Sequence, residues 1–349
     1  MQRTLVVFGL LLLPPICFGC EVVFIRGDAN SDLRVNLSDP ILLLSHLFSG
    51  AELKCKDAGD ANDDGRINIS DPIFDLAFLF ANGPAPPPPY PEPGLDPTPD
   101  DLLCEYYPAP LEYGRIVILW DNVAARPGLH SGWGFSCFVR VGSRDILFDT
   151  GPDGVQLLKN MELLLIEPEE IKAVILSHLH GDHIGGLEAL LGASRGATFY
   201  IPFSFPSSIR EKINSAGGLV KDVAEPTRIS EKIWSTGAMP GPPEEQSLVI
   251  ETSVGCILIV GCAHPGLIPI IDRAMEITSQ RVYLLLGGFH LFNEREEKIR
   301  QIVAQVRQAG VIKVAPCHCT GELAKSLFRE EYRENYIEVG AGSIIDFEM

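Results

Sequence analysis

The fold of this chain is decided by the stretch Ser177-His178-Leu179-His180-Gly181-Asp182-His183-Ile184-Gly185-Gly186, which directly follows the apolar residues 173–176. A short β-branched run followed by glycines predicts a strand that leads into a turn and then a helix. The stretch holds three imidazoles and one carboxylate within six residues. Imidazole nitrogen and carboxylate oxygen are ligands that suit zinc and similar divalent ions. The pattern therefore predicts a metal site at the end of a strand.

Two further histidines stand where a strand is expected to end. His264 lies in Gly261-Cys262-Ala263-His264-Pro265-Gly266, and His318 lies in Ala315-Pro316-Cys317-His318-Cys319-Thr320-Gly321. Taken singly, each has an alternative interpretation as a hydrogen-bonded core histidine. Together with Asp182 and the three histidines of the first stretch they make six candidate ligands, which is enough for two ions.

The His-x-His-x-Asp-His string resembles the signature of the metallo-β-lactamase superfamily, and the resemblance extends from about residue 113 to the end of the chain. It implies an α/β fold, a four-layer αββα sandwich with its metals at one edge. The metals are expected to be two divalent transition-metal ions: zinc is the main expectation, and iron or manganese suit the same donors. The resemblance implies one ligand set per ion, namely His178, His180 and His264, and Asp182, His183 and His318.

The same resemblance gives a role to Asp149 and leaves His290 open. The family's acid at the position of Asp149 orients metal-bound histidines, and the alternative is that Asp149 caps the turn at Thr150. His290 is interpreted as a substrate contact, an acid donor or a satisfied surface histidine. Many members carry an Asp that bridges both metals, whereas the best matching position here reads Gly287-Gly288-Phe289-His290. The second site is therefore expected to be weaker, or to be bridged by water alone.

Later motifs narrow the resemblance to one branch of the superfamily. This branch is similar to the archaeal dihydropterin ribofuranosylaminobenzene-phosphate synthase, and its members are usually described as metal-dependent hydrolases. Some members of the branch have a Tyr where this chain has Gly181. The motifs that carry the resemblance are residues 234–240, 261–266, 287–291 and 317–321.

Hydrophobic periodicity predicts the elements around these motifs, and the alternation fits two packed sheets with helices outside. The expected strands are residues 115–120, 135–141, 145–148, 173–176, 198–201, 247–251, 256–260, 282–286 and 312–315. The expected helices are residues 154–165, 207–216, 267–277, 296–309 and 321–329.

A different module precedes these motifs, because residues 27–48 and 59–80 repeat at an offset of 32. Each loop carries oxygen side chains at the positions that an EF-hand-type calcium site uses, with a backbone carbonyl at the seventh position. Gly65 permits the sharp turn of the second loop, whereas Leu33 at the same position of the first loop is expected to strain its turn or to weaken its site. The expected calcium positions are Asp28, Asn30, Asp32, Arg34, Asn36 and Asp39, and Asp60, Asn62, Asp64, Arg66, Asn68 and Asp71.

The two loop-helix units resemble a dockerin domain, a small all-α calcium-binding module, over residues 22–83. This resemblance implies calcium-dependent folding and a cohesin-like protein partner, and the alternative is a pair of Asx-rich turns without an ion. Residues 84–104 are Pro-rich and are expected to form an extended spacer outside any core, with a ligand for a Pro-binding module as the alternative. A catalytic domain over residues 105–349 is expected to follow.

The cysteines divide between these regions. Export would allow Cys55 and Cys104 to form a disulfide. The five in the catalytic region are expected to be mostly small buried residues, although three of them stand close to candidate ligands. The five are Cys137, Cys256, Cys262, Cys317 and Cys319.

The first residues and the charge indicate the compartment. Residues 1–19 have the shape of a secretory signal peptide, and Cys20 after them is a candidate lipid anchor. The apolar run in this leader is too short to span a bilayer, and no other segment is long enough, so no membrane span is expected. The protein is expected to be secreted, periplasmic or lipid-anchored. Its net charge of −18 argues against a nonspecific grip on nucleic acid.

Three activities remain at this point. The expected one is hydrolysis of a small-molecule ester, lactone or phosphoester by metal-activated hydroxide, with Asp182 accepting a proton. The first alternative is a synthase-like transferase that joins a pterin diphosphate to an aryl amine, and export argues against it because its substrates are intracellular. The second alternative is a non-catalytic calcium-dependent interaction protein. The intact ligand set argues against that, since clustering so many polar groups without an ion is costly.

Overall fold

A computed structural model describes residues 22–91, 93–98, 100–102, 104, 107, 113–142 and 144–349. The chain divides into two compact units, Met1–Leu111 and Glu112–Met349. The expected leader and Cys20 lie outside the described residues. No helix in the described part is long and apolar enough to cross a membrane.

The first unit contains two similar loop-helix segments. In each loop the first aspartate, Asp28 or Asp60, accepts the backbone N–H groups of the residues four and five positions later. The sixth position has a positive φ in both loops, 69° at Leu33 and 74° at Gly65. A left-handed conformation costs a residue with a side chain about 1–2 kcal/mol, so the first loop is strained as expected. The helices are α1 (Ser38–Ser49), α2 (Lys56–Gly59) and α3 (Ser70–Phe80).

The Pro-rich segment packs within the first unit instead of standing clear of it as a spacer. The backbone of Arg26 donates to the carbonyl of Pro89 at 2.7 Å, and its guanidinium donates to the Pro88 carbonyl at 3.1 Å and to Asp96 at 2.6 Å. Because the Arg26 side chain is fully buried, it needs acceptors close by, and the proline carbonyls supply them. A disulfide joins Cys55 to Cys104 in the same unit.

The second unit is built from two sheets. The described strands are β1 (Tyr113–Trp120), β2 (Ser136–Val141), β3 (Arg144–Phe148), β4 (Ile171–Ile175), β5 (Thr198–Pro202), β6 (Leu219–Val223), β7 (Thr227–Ser230), β8 (Ile233–Ser235), β9 (Leu248–Ile250), β10 (Cys256–Val260), β11 (Val282–Gly288), β12 (Lys313–Cys317) and β13 (Ile344–Glu348). The order is β13-β1-β2-β3-β4-β5-β6 in the seven-stranded sheet and β12-β11-β10-β9-β8-β7 in the six-stranded sheet.

Helices cover the outer face of each sheet. One apolar cluster joins the inner faces of the two sheets, for example Phe148 with Ile257. A second joins the six-stranded sheet to helices through Ile271 and Phe328, and a third joins the seven-stranded sheet to helices through Leu157. The layers therefore run helix, sheet, sheet, helix. The helices are α4 (Gly154–Leu163), α5 (Gly181–Ile184), α6 (Leu187–Ala193), α7 (Ser207–Ser215), α8 (Leu267–Thr278), α9 (Glu296–Gln308) and α10 (Glu322–Tyr332).

Parallel pairing brings the polar motifs to one edge. Strands β3, β4 and β5 pair in parallel, and so do β10, β11 and β12. Parallel strands end at the same edge of their sheet, and the chain leaves each of these strands into a loop that carries polar side chains. The loops that follow β3, β4, β10, β11 and β12 contain Asp149, His178, His264, His290 and His318.

Candidate metal centre

The central motif spans the end of β4 and the short helix α5. Strand β4 ends at Ile175, and α5 places Asp182 and His183 in its single turn. The two residues that follow α5 must be glycines. A Cβ at Gly185 would lie 2.3 Å from the Pro152 carbonyl, and one at Gly186 would lie 2.3 Å from the Thr150 carbonyl. This close backbone approach fixes α5 against the turn that follows β3.

Five histidine rings meet at this edge. His178 Nε2 lies 3.0 Å from His180 Nδ1, and His183 Nε2 lies 3.2 Å from His318 Nε2. The His264 ring lies 4.8 Å from that of His178, between centroids. Donor atoms of two ligand sets lie within 4.8 Å of one another in each set, and no strand or helix alone could bring them together. The sets are His178, His180 and His264, and Asp182, His183 and His318.

The charge states of His178, His264 and Asp182 suit a cation. Burial lowers the pKa of His178, and burial with a neighbouring histidine lowers the pKa of His264 to about 4, so both rings are neutral near pH 7. Burial opposes ionisation of Asp182, yet its hydrogen bond with His318 holds the pKa of Asp182 below its usual range. Neutral imidazole and ionised carboxylate are the forms that bind metal.

One buried nitrogen, His264 Nε2, indicates whether the donor set fits an ion. His264 Nε2 is buried and has no hydrogen-bond partner among the described residues. An unpaired buried polar atom costs about 1–3 kcal/mol, so this nitrogen needs a partner. The His264 ring lies against those of His178 and His180, whose nitrogens face one another. These three histidines would hold a divalent ion such as zinc, so the donor set fits the metal.

Asp149 lies beneath the centre. Its carboxylate accepts the backbone N–H and the hydroxyl of Ser177, both at 2.7 Å, and contacts His183 Nδ1 at 2.7 Å. Ser177 Oγ in turn lies 2.9 Å from His178 Nδ1. One buried carboxylate thus orients a histidine of each set, as general metal chemistry requires. The turn-capping alternative is not needed to explain this residue.

Glu245 is a second buried carboxylate, and no sequence motif predicted it. It accepts the backbone N–H groups of Cys262 at 2.8 Å, Ala263 at 3.0 Å and His264 at 2.8 Å. Ala263 has a positive φ of 57°, so this carboxylate holds a strained turn in place. No periodic pattern distinguishes Glu245 from the exposed Glu244 beside it, which explains why its role was not visible before the chain was folded.

Asp121 and Asn122, at the end of β1, hold His318 in the same way and were also missed. The His318 backbone N–H donates to Asp121 at 2.8 Å, and Asn122 Nδ2 donates to the His318 carbonyl at 2.8 Å. Asn122 Oδ1 lies 3.2 Å from His318 Nδ1. His318 itself has a positive φ of 46°. These contacts connect β1 to the ligand that follows β12.

Two buried cysteines lie against the histidines. Cys262 Sγ is 3.2 Å from His183 Nε2 and 3.3 Å from Cys319 Sγ. No carboxylate can stand at Gly288, since a Cβ there would lie 2.4 Å from the Gly261 carbonyl and 2.7 Å from Cys319 Sγ. The sequence has no acid at this position, and Gly288 leaves space for the sulfur of Cys319.

The rim of the centre is aromatic. Trp133 and Phe292 pack edge to face at 5.2 Å and are 49% and 43% exposed. His290 lies 4.5 Å from the His264 ring and 5.7 Å from the Phe292 ring, with a positive φ of 52°. A hydrogen bond with Cys319 raises the pKa of His290. His290 therefore borders the centre, although it belongs to neither of the two ligand sets.

The predicted calcium positions lie in the first unit. Asp39 and Asp71 each turn back to their own loop, accepting the N–H of Asn36 at 2.7 Å and of Asn68 at 2.8 Å. Burial raises the pKa of both carboxyls to about 7. The side chains at the third position, Asn30 and Asn62, donate to the serine that begins the following helix. Asp32, Asp64, Arg34 and Arg66 are exposed.

The contacts of Glu245 with the turn before His264 predict that this carboxylate affects zinc binding. Replacing Glu245 with Gln should weaken zinc binding by about 10–100-fold, because the amide NH₂ would face a backbone N–H and release the turn that carries His264. Titration of the metal-free protein with zinc against a competing chelator measures this. Glu244→Gln is the matched control, since Glu244 is exposed, and it should bind zinc as the wild type does. Equal affinity in the Glu245→Gln variant and the wild type would contradict the role assigned to Glu245.

Comparisons with known proteins bear on the family to which this fold belongs. Residues 134–270 match the family model described as the metallo-beta-lactamase superfamily. The chain is 28% identical over 263 residues to 7,8-dihydropterin-6-methyl-4-(beta-D-ribofuranosyl)-aminobenzene-5'-phosphate synthase of Methanocaldococcus jannaschii, which covers 61% of this chain and 90% of that protein.

Two solved structures share the fold. Tm1679, a metal-dependent hydrolase of the beta-lactamase superfamily, superposes with a TM-score of 0.58 at 28% identity, covering 68% of this chain and all of the other. The metallo-beta-lactamase fold protein YhfI from Bacillus subtilis gives a TM-score of 0.51 at 14% identity, over 67% of this chain and all of the other, which supports the fold alone. The chain therefore carries a metallo-β-lactamase superfamily domain that is homologous to the archaeal dihydropterin synthase-like proteins.

Proposed function

We propose that the second unit is a metal-dependent hydrolase with a dinuclear centre, acting on a small-molecule ester, lactone or phosphoester. The observation that carries the proposal is the meeting of six donor side chains at one edge, with the buried His264 Nε2 left without a hydrogen-bond partner among the described residues. In this proposal the first ion is held by His178, His180 and His264, and the second by Asp182, His183 and His318. When bound, two such ions lower the pKa of water and polarise the bond under attack.

The chain's own residues then have distinct tasks. The Asp182 side chain is 21% exposed, so it can both reach a ligand position and accept the proton of an attacking water. Asp149 holds His183 in the tautomer that leaves Nε2 free, because its carboxylate contacts Nδ1. His290 stands at the rim, where it can contact substrate or donate a proton to a leaving group. The exposed faces of Trp133 and Phe292 favour a substrate with a flat or apolar part.

A transferase of the dihydropterin synthase type is the second candidate. The M. jannaschii relative favours it, since the match covers 90% of that protein. Against it stands our proposal, made from the leader at residues 1–19, that the protein is exported. A third candidate is a calcium-dependent interaction protein whose metal domain is not catalytic. It does not explain why the six donor side chains lie together.

Removing one ligand tests the metal proposal. His180→Ala should reduce turnover to the background rate and lower the number of bound transition-metal ions from about two, because each zinc-like ion needs three or four protein donors. The circular dichroism spectrum should not change, since the His180 side chain is exposed. His130→Ala, which removes a histidine outside both ligand sets, should keep metal and turnover. Unfolding of the His180→Ala variant would instead make the site structural.

A substrate panel separates hydrolase from transferase. The zinc-loaded protein is incubated with lactones, esters, phosphodiesters, and a pterin diphosphate with an aryl amine. The proposal predicts water-dependent cleavage of at least one ester-type substrate, which the His180→Ala variant should not perform. Formation of the pterin–arylamine product together with no cleavage of the other compounds would favour the transferase.

We also propose that the first unit is a dockerin-like calcium module that docks on a cohesin-like partner. Buried carboxylate oxygens of Asp71 and Asp75 have no hydrogen-bond partner among the described residues, and a cation would relieve that cost. The repeat also exposes apolar side chains at matched helix positions, Ile41 with Ile73 and Phe48 with Phe80. Exposed apolar surface of this kind is typical of a docking face.

Calcium removal tests this module. A calcium-selective chelator should make residues 22–83 sensitive to protease, because the loops lose the ion that offsets their clustered carboxylates. Turnover by the second unit should be unaffected. Readdition of calcium is the matched control and should restore resistance. Equal protease resistance with and without calcium would contradict the calcium proposal, and a parallel loss of turnover would show that the two units are coupled.

A further inference from the structure

Two of the five free cysteines among the described residues differ from the other three in their surroundings. All five are buried, but Cys137, Cys256 and Cys317 pack inside apolar clusters of the second unit. Cys262 and Cys319 are buried to 3% and 1% exposure and belong to none of the apolar clusters of the described residues. Their nearest polar neighbours are histidines and each other. Apolar packing therefore does not account for these two sulfurs.

Cys262 Sγ lies between the two histidine sets. It forms a potential metal-binding group with His178 and His183, in which the donor atoms all lie within 4.8 Å of one another. His178 belongs to the first ligand set and His183 to the second, so the sulfur faces a donor of each. Its distance of 3.2 Å from His183 Nε2 is close to the roughly 3.5 Å that separates a sulfur and a nitrogen bound to one tetrahedral zinc.

The backbone brings this sulfur to its position. A Cβ at Gly261 would lie 2.4 Å from Ser177 Oγ, so only glycine permits the turn to approach the loop that follows β4. Glu245 then accepts the backbone N–H of Cys262 at 2.8 Å and so holds the main chain that carries this sulfur. The position is thus held by the same contacts that hold His264.

Cys319 completes the surroundings of the sulfur. Its Sγ lies 3.3 Å from Cys262 Sγ and accepts the backbone N–H of His290 at 3.3 Å. The S–H group of Cys319 is placed to donate to Cys262 Sγ, and this contact fixes the position of the Cys262 sulfur. Gly288 leaves the space for Cys319, because a side chain there would collide with Cys319 Sγ.

We propose that Cys262 is a seventh ligand of the metal centre, a thiolate placed between the two histidine sets, and that Cys319 positions it through an S–H···S contact. This inference rests on the proposed dinuclear centre and adds a sulfur donor to it. Thiolate is a soft ligand that selects zinc over manganese, so the chain should load zinc or cobalt in preference to manganese.

Cobalt substitution of the full chain tests the inference under reducing conditions. The wild-type protein loaded with cobalt should show a near-ultraviolet sulfur-to-cobalt charge-transfer band, and Cys262→Ser should lose it. Cys319→Ser should keep the band with a shifted maximum. Cys137→Ser is the matched control, because Cys137 is buried in the core between the sheets, and its spectrum should equal that of the wild type.

Any other pattern of cobalt spectra from folded proteins overturns the inference. A wild-type protein that binds two cobalt ions without the band has no sulfur ligand, although the proposed hydrolase stands. A band that persists in Cys262→Ser, or that disappears only in Cys319→Ser, assigns the sulfur elsewhere. If the Cys262→Ser variant does not fold, X-ray absorption of the zinc-loaded wild type decides, since a sulfur ligand scatters at about 2.3 Å. A wild type that binds no transition metal overturns the proposed function itself.

Discussion

Five imidazole rings crowd together at one edge of the second unit, and the rest of that unit depends on keeping them there. Neighbouring ring centroids lie 4.2 to 5.0 Å apart, and two nitrogen pairs approach to 3.0 and 3.2 Å. Burial keeps the rings of His178 and His264 neutral, and the buried His264 Nε2 has no hydrogen-bond partner among the described residues, which costs free energy. A divalent cation converts this cost into a gain, which is why the arrangement is an argument for metal and not only a packing detail.

Three buried carboxylates hold the loops that carry the histidines. Asp149 holds the loop after β4, Glu245 holds the turn after β10, and Asp121 holds the turn after β12. Each accepts at least one backbone N–H, so each fixes the main chain and not only a ring. The two sheets supply the rigid base, because parallel strands deliver their loops to one edge. The histidine that each loop carries is therefore set by a carboxylate from a different part of the chain.

Two cysteine sulfurs also lie at this edge. Glycines at positions 261 and 288 let backbones approach closely, and the space that they leave is filled by Cys262 and Cys319. A centre with nitrogen, oxygen and sulfur donors would discriminate among metals more sharply than the six predicted ligands alone. The aromatic rim of Trp133 and Phe292 belongs to the same edge.

The sequence alone predicted most of the elements, and it predicted the candidate ligands whose pattern is local. The strand and helix around His178–His183 follow from a β-branched run, two glycines and the spacing of the histidines, and most strand ends were predicted to within two residues. Strands β6, β7, β8 and β13 were missed. Strand β13 pairs with β1 across the length of the unit and shows no alternation of its own. Only the tertiary structure decided that Glu245 and Cys262 belong to the centre and that the Pro-rich segment packs on Arg26. Each of these depends on residues far apart in the chain, and the cost of burying a polar group, which selects such partners, appears only once the chain has folded.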